Sequence, residues 1–193
     1  TVTILSVDIA ARVGGRNCGL TMIDAALIDA LDRPTGDLLW ARSIDGTDLR
    51  AVAEAVGEAK SAGALLVLER QYAARVAPNP AVTEKLIATR IRFETVAQIR
   101  GVEFELVYPA TWQTILDVLG SDVPQKPAKP RKVKGAKPAA QVELAVKAPK
   151  MIRDTKAASR LLASRLYPGA ELTQDECDAV LMGRHVAWER RGT

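Results

Sequence analysis

Two short apolar runs that each end in a carboxylate constrain this chain more than any other feature. The first run, TILSV, ends at Asp8, and the second run, ALLVL, ends at Glu69. A strand that is buried on both faces of a sheet has a continuous apolar sequence rather than an alternating one. The pattern therefore predicts two central strands, each with an acidic side chain where the strand meets a loop.

The residues around these runs predict how the two strands are connected. Turn-forming residues separate the first run from two further predicted strands, at 18–24 and 38–44, which complete an antiparallel meander. A helix capped by Asp48 then leads to the second run. Because such crossovers are right-handed and join parallel strands, both runs should end at the same sheet edge. We therefore expect Asp8 and Glu69 to lie side by side.

The second half of the chain predicts the rest of an α/β fold, a five-stranded mixed sheet (three antiparallel strands plus two parallel) flanked by helices. A helix predicted at 82–100 precedes a fifth strand at 102–108, and a short helix at 111–119 follows. A helical pattern resumes at 152–166. A capping box at 173–176 opens the last helix.

Two further carboxylates lie on this last predicted helix. Asp175 and Asp178 stand three residues apart, and hence on one face. Acidic residues in a first helical turn complement the helix dipole, which is a sufficient explanation for Asp175 but a weaker one for Asp178. Asp8 and Glu69 could each simply cap a loop. Their joint position at the ends of the two central strands favours a functional site.

Four carboxylates from two strand ends and one helix face have a chemical use. Mg²⁺ prefers oxygen ligands, and three or four carboxylates can hold two such ions about 4 Å apart. Two metal ions at this separation activate a water molecule and stabilise the leaving oxygen of a phosphodiester. Without metal the carboxylates would repel one another and raise their pKa values. The residues thus predict a metal-dependent hydrolytic site.

Positive charge is concentrated in one segment. Residues 124–150 contain eight Lys and Arg and one Glu, so they carry +7, and the rest of a chain whose total is +4 carries −3. The segment 120–150 also holds five of the ten prolines and no aromatic residue. We expect one domain spanning residues 1–193, with a basic flexible insert at about 121–150. An acidic body with a basic insert indicates a polyanionic partner.

The cysteines and the apolar runs bear on the cellular setting. Cys18 and Cys177 form neither a disulfide framework nor a zinc-binding spacing. No apolar run approaches the roughly 20 residues that a membrane helix needs. We therefore expect a reducing, cytoplasmic location and no membrane partner.

Three stretches together resemble the RuvC family of Holliday-junction resolvases, in the ribonuclease-H-like superfamily. They are ILSVD ending at Asp8, LLVLE ending at Glu69, and DECDA, which contains Asp175 and Asp178. The resemblance covers most of the chain except the basic insert. It implies that these four residues are catalytic and bind two Mg²⁺ ions, for which Mn²⁺ can substitute. In ribonucleases H proper the glutamate lies on the first helix, so a strand-end glutamate favours the resolvase branch.

The same resemblance implies residues that contact DNA. Tyr72 occupies the place of an aromatic residue that stacks on bases at the junction, and Lys156 that of a lysine that contacts phosphate near the metal ions. Further basic candidates border the predicted active edge or lie in the insert: Arg70, Arg75, Lys126, Lys129, Arg131, Lys132, Lys134 and Lys137. Trp112 and Trp188 are interpreted as packing residues. His185 is interpreted as a partly exposed helix residue, with a proton-handling role as the alternative.

These features predict a Mg²⁺-dependent endonuclease that resolves four-way DNA junctions by symmetric nicking. The resemblance implies a homodimer, with the helix at 82–100 as the candidate interface, and a bacterial or phage-infected cell as the setting. Two alternatives stay open. One is a ribonuclease-H-like nuclease acting on RNA–DNA hybrids or on flap and branched DNA, and the other is a nucleic-acid-binding module without catalysis.

Overall fold

The computed structural model describes residues 3–9, 17–24, 37–70, 80–128 and 151–190. Its main sheet has five strands in the order β3-β2-β1-β4-β5. The strands are β1 Thr3–Ile9, β2 Cys18–Asp24, β3 Asp37–Ile44, β4 Leu65–Glu69 and β5 Phe104–Val107. The first three pair antiparallel, and β4 pairs parallel with both β1 and β5. The predicted mixed sheet is confirmed.

Five α-helices and one 3₁₀ helix accompany the sheet in the described parts of the chain. They are α1 Leu49–Ser61, α2 Pro80–Arg100, α3 Pro109–Trp112, the 3₁₀ helix Gln113–Asp122, α4 Thr155–Leu166 and α5 Gln174–Glu189. The predicted cap of α1 is confirmed, because the Asp48 carboxylate accepts hydrogen bonds from the N–H groups of Arg50 and Ala51. None of the described helices combines the length and apolar character needed to cross a bilayer.

The side chains of the central strands divide between two cores on opposite faces of the sheet. Leu5 and Val7 of β1 belong to a core that includes Val52 of α1 and Phe93 of α2. Ile4 belongs to the other core, with residues of α4, α5 and the 3₁₀ helix. Because successive side chains of a strand point to opposite faces, Asp8 projects toward the α5 side. This alternation decides where the acidic residues lie.

The structure differs from the sequence interpretation on either side of the basic insert. The helical pattern at 152–166 predicts that a helix begins at Ile152, but Met151–Arg153 forms strand β7, which pairs antiparallel with strand β6, Gln125–Pro127. Helix α4 begins only at Thr155, because the Asp154 side chain accepts a hydrogen bond from the N–H of Ala157 and caps it. The first residues of the expected flexible insert are therefore structured, as one strand of this β6–β7 ribbon.

A second difference concerns the segment predicted as a helix at 111–119. Helix α3 begins earlier, at Pro109, whose fixed φ suits a first helical position. It lasts a single turn and continues as the 3₁₀ helix, which includes Gly120 at a φ of 53°. The turn-forming residues 13–16, the residues 25–36 between the second and third strands and the insert residues 129–150 lie outside the described residues.

Candidate active site

Asp8 and Glu69 lie next to each other at one edge of the sheet. The parallel register pairs Val7 with Leu68, so the residues that follow them occupy neighbouring positions at the ends of β1 and β4. Leu65 and Val67 belong to the core on the α5 side, and Glu69 continues their alternation. Both carboxylates are half-buried. The expected convergence of these two residues is present in the structure.

Helix α5 brings Asp175 and Asp178 to the same edge because two glycines let it lie close to the sheet. A Cβ atom at Gly19 of β2 would collide with the backbone of Asp175, and Gly19 is the residue that pairs with Asp8. A Cβ atom at Gly183, two turns along α5, would collide with the Ser6 hydroxyl of β1. Nothing in the sequence pattern singled out these glycines, since their role depends on a close approach between distant segments.

The start of α5 is held by the predicted capping box and by an additional contact. Thr173 accepts a hydrogen bond from the Glu176 N–H, and the Glu176 carboxylate accepts one from the Thr173 N–H. The same carboxylate accepts a hydrogen bond from the Ser43 hydroxyl of β3 at 2.7 Å. The capping box thus fixes the helix start and also ties it to the sheet.

Burial and the repulsion of neighbouring negative charges raise the pKa of two of these carboxylates, Asp8 and Asp178. The pKa of Asp8 is raised well above its ordinary value, first by burial and then by the negative charges of Glu69, Asp178 and Asp175. Burial likewise raises the pKa of Asp178, against the lowering effect of Ser159 and Gln174. The exposed Lys156 lowers the pKa of both groups. The predicted cluster is therefore electrostatically coupled, with Lys156 as its neighbouring cation.

Neutral donors hold two of the four carboxylates. The indole N–H of Trp112 donates to Glu69 Oε1 at 3.0 Å, and the side-chain amide of Gln174 donates to Asp178 Oδ1 at 3.1 Å. Trp112 is buried, as its interpretation as a packing residue required, but the structure adds a polar contact. Sequence reasoning missed this role, because the sequence around a packing tryptophan does not reveal which acceptor its ring nitrogen meets.

The remaining predicted residues divide into three groups. Arg70 is exposed beside Glu69, with its guanidinium 4.7 Å from the ring centre of Tyr108. Lys126 lies on the β6–β7 ribbon, where its ammonium is 2.9 Å from the Asp154 carboxylate, so it is engaged within the protein. The third group lies outside the described residues: Tyr72, Arg75, Lys129, Arg131, Lys132, Lys134 and Lys137.

Two interpretations of single residues on α5 were wrong. His185 was expected to be partly exposed, but only 8% of it is accessible, and its Nε2 lies 3.2 Å from Glu189. Trp188 was expected to be a packing residue, but it is 51% exposed. Both residues line one cleft between α5, α4 and the 3₁₀ helix. Cys177 is buried, and burial raises the pKa of its thiol to about 11.

The chemistry of the four carboxylates suits a divalent cation. Carboxylate oxygens are the ligands that Mg²⁺ prefers, and a cation would offset the repulsion that raises the pKa of Asp8. Within the described residues, no three His, Cys, Asp or Glu side chains already form a group that could hold an ion. Coordination by all four of Asp8, Glu69, Asp175 and Asp178 therefore requires some of these side chains to turn toward a common point.

Comparison with solved structures identifies the fold. Thermus thermophilus RuvC aligns over 100% of this chain and 98% of its own, with a TM-score of 0.59 and 12% identity. RuvC from the same organism in complex with a Holliday junction substrate aligns over the same shares, with a TM-score of 0.57 and 12% identity. The yeast mitochondrial Holliday junction resolvase is a weaker match, with 13% identity, 99% and 80% coverage and a TM-score of 0.48. No family model matches the chain, and no curated protein matches it by sequence. The chain therefore has the ribonuclease-H-like fold of RuvC.

Proposed function

We propose that this chain is a divalent-metal-dependent endonuclease that nicks four-way DNA junctions. The observation that carries the proposal is the position of four carboxylates, Asp8, Glu69, Asp175 and Asp178, at one sheet edge of a RuvC-like fold, near enough for the charges of the other three to act on Asp8. The fold alone does not require acidic residues there. Their mutual repulsion costs stability, and a cation-dependent reaction explains why the chain carries them.

The proposed site divides the work among the chain's own residues. The four carboxylates would hold two Mg²⁺ ions, which would generate a water nucleophile at neutral pH and stabilise the leaving oxygen. Lys156, the cation next to Asp8 and Asp178, would bind the phosphate that reacts. Arg70, exposed beside Glu69, would bind a neighbouring phosphate and orient the strand.

The basic insert supplies the sequence-independent part of the proposed DNA affinity. Its described flanks, β6 and β7, pair with each other and lead into α4, on whose first turn Lys156 lies. The residues between the flanks, 129–150, contain seven Lys and Arg and one Glu. A segment of that charge, joined through β7 to the helix that carries Lys156, would bring duplex arms toward the site by attracting phosphates.

A junction with two-fold symmetry is best served by a homodimer, which we propose through helix α2. Ile91 and Ile99 of this helix are 47% and 79% exposed. Their apolar side chains offer an association surface on the helix that the sequence singled out. Light scattering gives the mass of the purified chain, expected to be a dimer, and of a variant carrying both Ile91→Glu and Ile99→Glu, expected to be a monomer. A variant that is still a dimer would rule out α2 as the interface.

Cleavage of a labelled immobile four-way junction beside its linear duplex arms tests the function. We expect paired symmetric nicks near the branch point with Mg²⁺, none with chelator, and none for Asp8→Asn, which should still bind the junction. Glu54→Gln, an exposed carboxylate on α1 paired with Arg50, is the matched control. Equal nicking of duplex, or preferential cleavage of an RNA–DNA hybrid or a flap, would change the substrate assignment. Tight binding without any cleavage would support a binding module instead.

A further inference from the structure

The contact between Trp112 and Glu69 stands out in the proposed site because it joins a core residue to a carboxylate at the sheet edge. The indole N–H lies 3.0 Å from Glu69 Oε1, across 43 positions of sequence. Trp112 is 2% exposed and packs in the core on the α5 side. Its ring cannot turn without disrupting that core, and an indole has a single N–H donor. The direction of this hydrogen bond is therefore fixed by packing.

The backbone around the contact also fixes the distance between the Trp112 indole and Glu69. Strands β4 and β5 remain paired just past Glu69, because the Arg70 N–H donates to the Val107 carbonyl at 2.7 Å. The chain then turns at Pro109 into α3, where the backbone N–H of Trp112 donates to the Tyr108 carbonyl at 3.2 Å. One helical turn thus folds the indole back over the end of β4. The guanidinium of Arg70 lies over the ring of Tyr108, the residue that precedes this turn.

A neutral donor has an advantage over a cation at this position. Lys or Arg would orient the carboxylate equally well but would cancel the negative charge that attracts a metal ion. The indole N–H binds Oε1 without adding charge, so it orients Glu69 and leaves its negative charge intact. A partner of this kind also limits the side-chain freedom that Glu69 would lose on binding a metal.

We propose that Trp112 is the positioning residue for Glu69, setting the orientation in which this carboxylate binds a divalent cation. The inference rests on the proposed function. Trp112 itself touches neither the substrate nor the ions. It acts through Glu69, so replacing it should weaken metal binding more than junction binding.

Trp112→Phe isolates the hydrogen bond, since it keeps an aromatic ring in the core and removes the N–H. Trp188→Phe is the matched control, because Trp188 is an exposed tryptophan near the end of α5. We expect Trp112→Phe to weaken Mg²⁺ binding, measured by calorimetry without DNA, about 10- to 100-fold. Cleavage should then require proportionally more Mg²⁺, while junction affinity in Ca²⁺ stays within about twofold. The control should match the wild-type chain in all three measurements.

A second measurement does not depend on how well the variant folds. The chain has three tryptophans, so an amide-correlation spectrum of the ¹⁵N-labelled wild type has three indole N–H signals. Trp40→Phe and Trp188→Phe identify the remaining signal as that of Trp112. Adding Mg²⁺ should shift the Trp112 signal, and Mn²⁺ should broaden it, before either affects the Trp188 signal.

The outcomes separate this inference from the function on which it rests. If Asp8→Asn loses Mg²⁺ binding but Trp112→Phe binds Mg²⁺ like Trp188→Phe, and the Trp112 signal does not respond to the ion, then the positioning role is wrong and the metal site stands. If Asp8→Asn binds Mg²⁺ like the wild type and cleavage is unchanged, then the proposed function itself fails.

Discussion

Gly19 lies directly beneath the backbone of Asp175, so close that no Cβ atom fits between them. Gly19 also pairs with Asp8 across β1 and β2. This one glycine therefore sets the distance between the helix that carries two of the acidic residues and the strand that carries a third. The approach involves main-chain atoms on the helix side, which cannot rotate out of the way.

Gly19→Ala should displace the start of α5 from the sheet. We expect a loss of about 1–3 kcal/mol in unfolding free energy, as for other overpacked sites, and a larger loss of cleavage than the stability change explains. Urea unfolding and single-turnover cleavage measure the two effects.

Gly183→Ala is the comparison for that variant. The methyl group that Gly183→Ala adds would collide with the Ser6 hydroxyl, which is a side-chain group rather than backbone. Adding Ser6→Ala to the same chain should therefore restore the stability that Gly183→Ala loses. A Gly19→Ala variant as stable and active as the wild type would contradict the close-packing argument.

The pKa of Asp8 predicts how the metal-free protein responds to pH. Because the folded-state pKa is raised, Asp8 contributes stability that is present below its unfolded pKa of about 4 and is lost as the pH rises through the folded value. In chelator at pH 7, Asp8→Asn should therefore be more stable than the wild type, by about 1.4 kcal/mol for each unit of the shift. The difference should vanish toward pH 4. Urea unfolding from pH 4 to 8 measures it, and parallel curves at all pH values would refute the prediction.

Divalent cations should offset the loss of stability that the ionised Asp8 causes in the metal-free protein. Mg²⁺ at about 100 times its dissociation constant stabilises a folded state by about 2.7 kcal/mol, which is about 5–10 °C in Tm for a chain of this size. Thermal unfolding with Mg²⁺ and with chelator should show this shift for the wild type and for Glu54→Gln. Asp8→Asn should show little of it. A shift of equal size in Asp8→Asn would place cation binding elsewhere.

Lys156→Ala removes the cation beside Asp8 and Asp178. Since Lys156 lowers the pKa of both groups, its removal should raise those values further, and it eliminates a proposed phosphate ligand. We expect single-turnover cleavage to fall about 100-fold, with junction affinity reduced only severalfold and the salt slope reduced by about one. Lys60→Ala, at an exposed lysine in the last turn of α1, serves as the control. Equal cleavage by both variants would leave Lys156 without the proposed role.

The structure indicates where to cut the basic insert. Removing residues 124–150 would destroy the β6–β7 ribbon and the ion pair between Lys126 and Asp154. Replacing residues 129–150 with an Asn-Gly turn keeps both, while removing a net charge of +6. We expect weaker junction binding and a flatter dependence of log affinity on log salt, by about 0.9 for each phosphate that the shortened chain no longer neutralises. An unchanged slope would show that the insert does not bind the DNA backbone.

Local sequence patterns predicted most of the fold. Continuous apolar runs identified β1 and β4, and the capping box at Thr173 identified the start of α5. Patterning failed at Ile152, which the helical periodicity assigns to the following helix. The pairing of Met151–Arg153 with Gln125–Pro127, across the insert, overrode that local preference.

The sequence by itself determined which carboxylates lie near the ends of the central strands and which share a helix face, because burial patterns and caps are properties of neighbouring residues. It therefore predicted Asp8, Glu69, Asp175 and Asp178 as one site. Only the tertiary structure decided that Gly19 admits Asp175 to the sheet and that Trp112 holds Glu69. These contacts join segments far apart in the chain. They depend on strand register and on a helix backbone that approaches the sheet too closely for a Cβ atom at Gly19. No local periodicity encodes either of these.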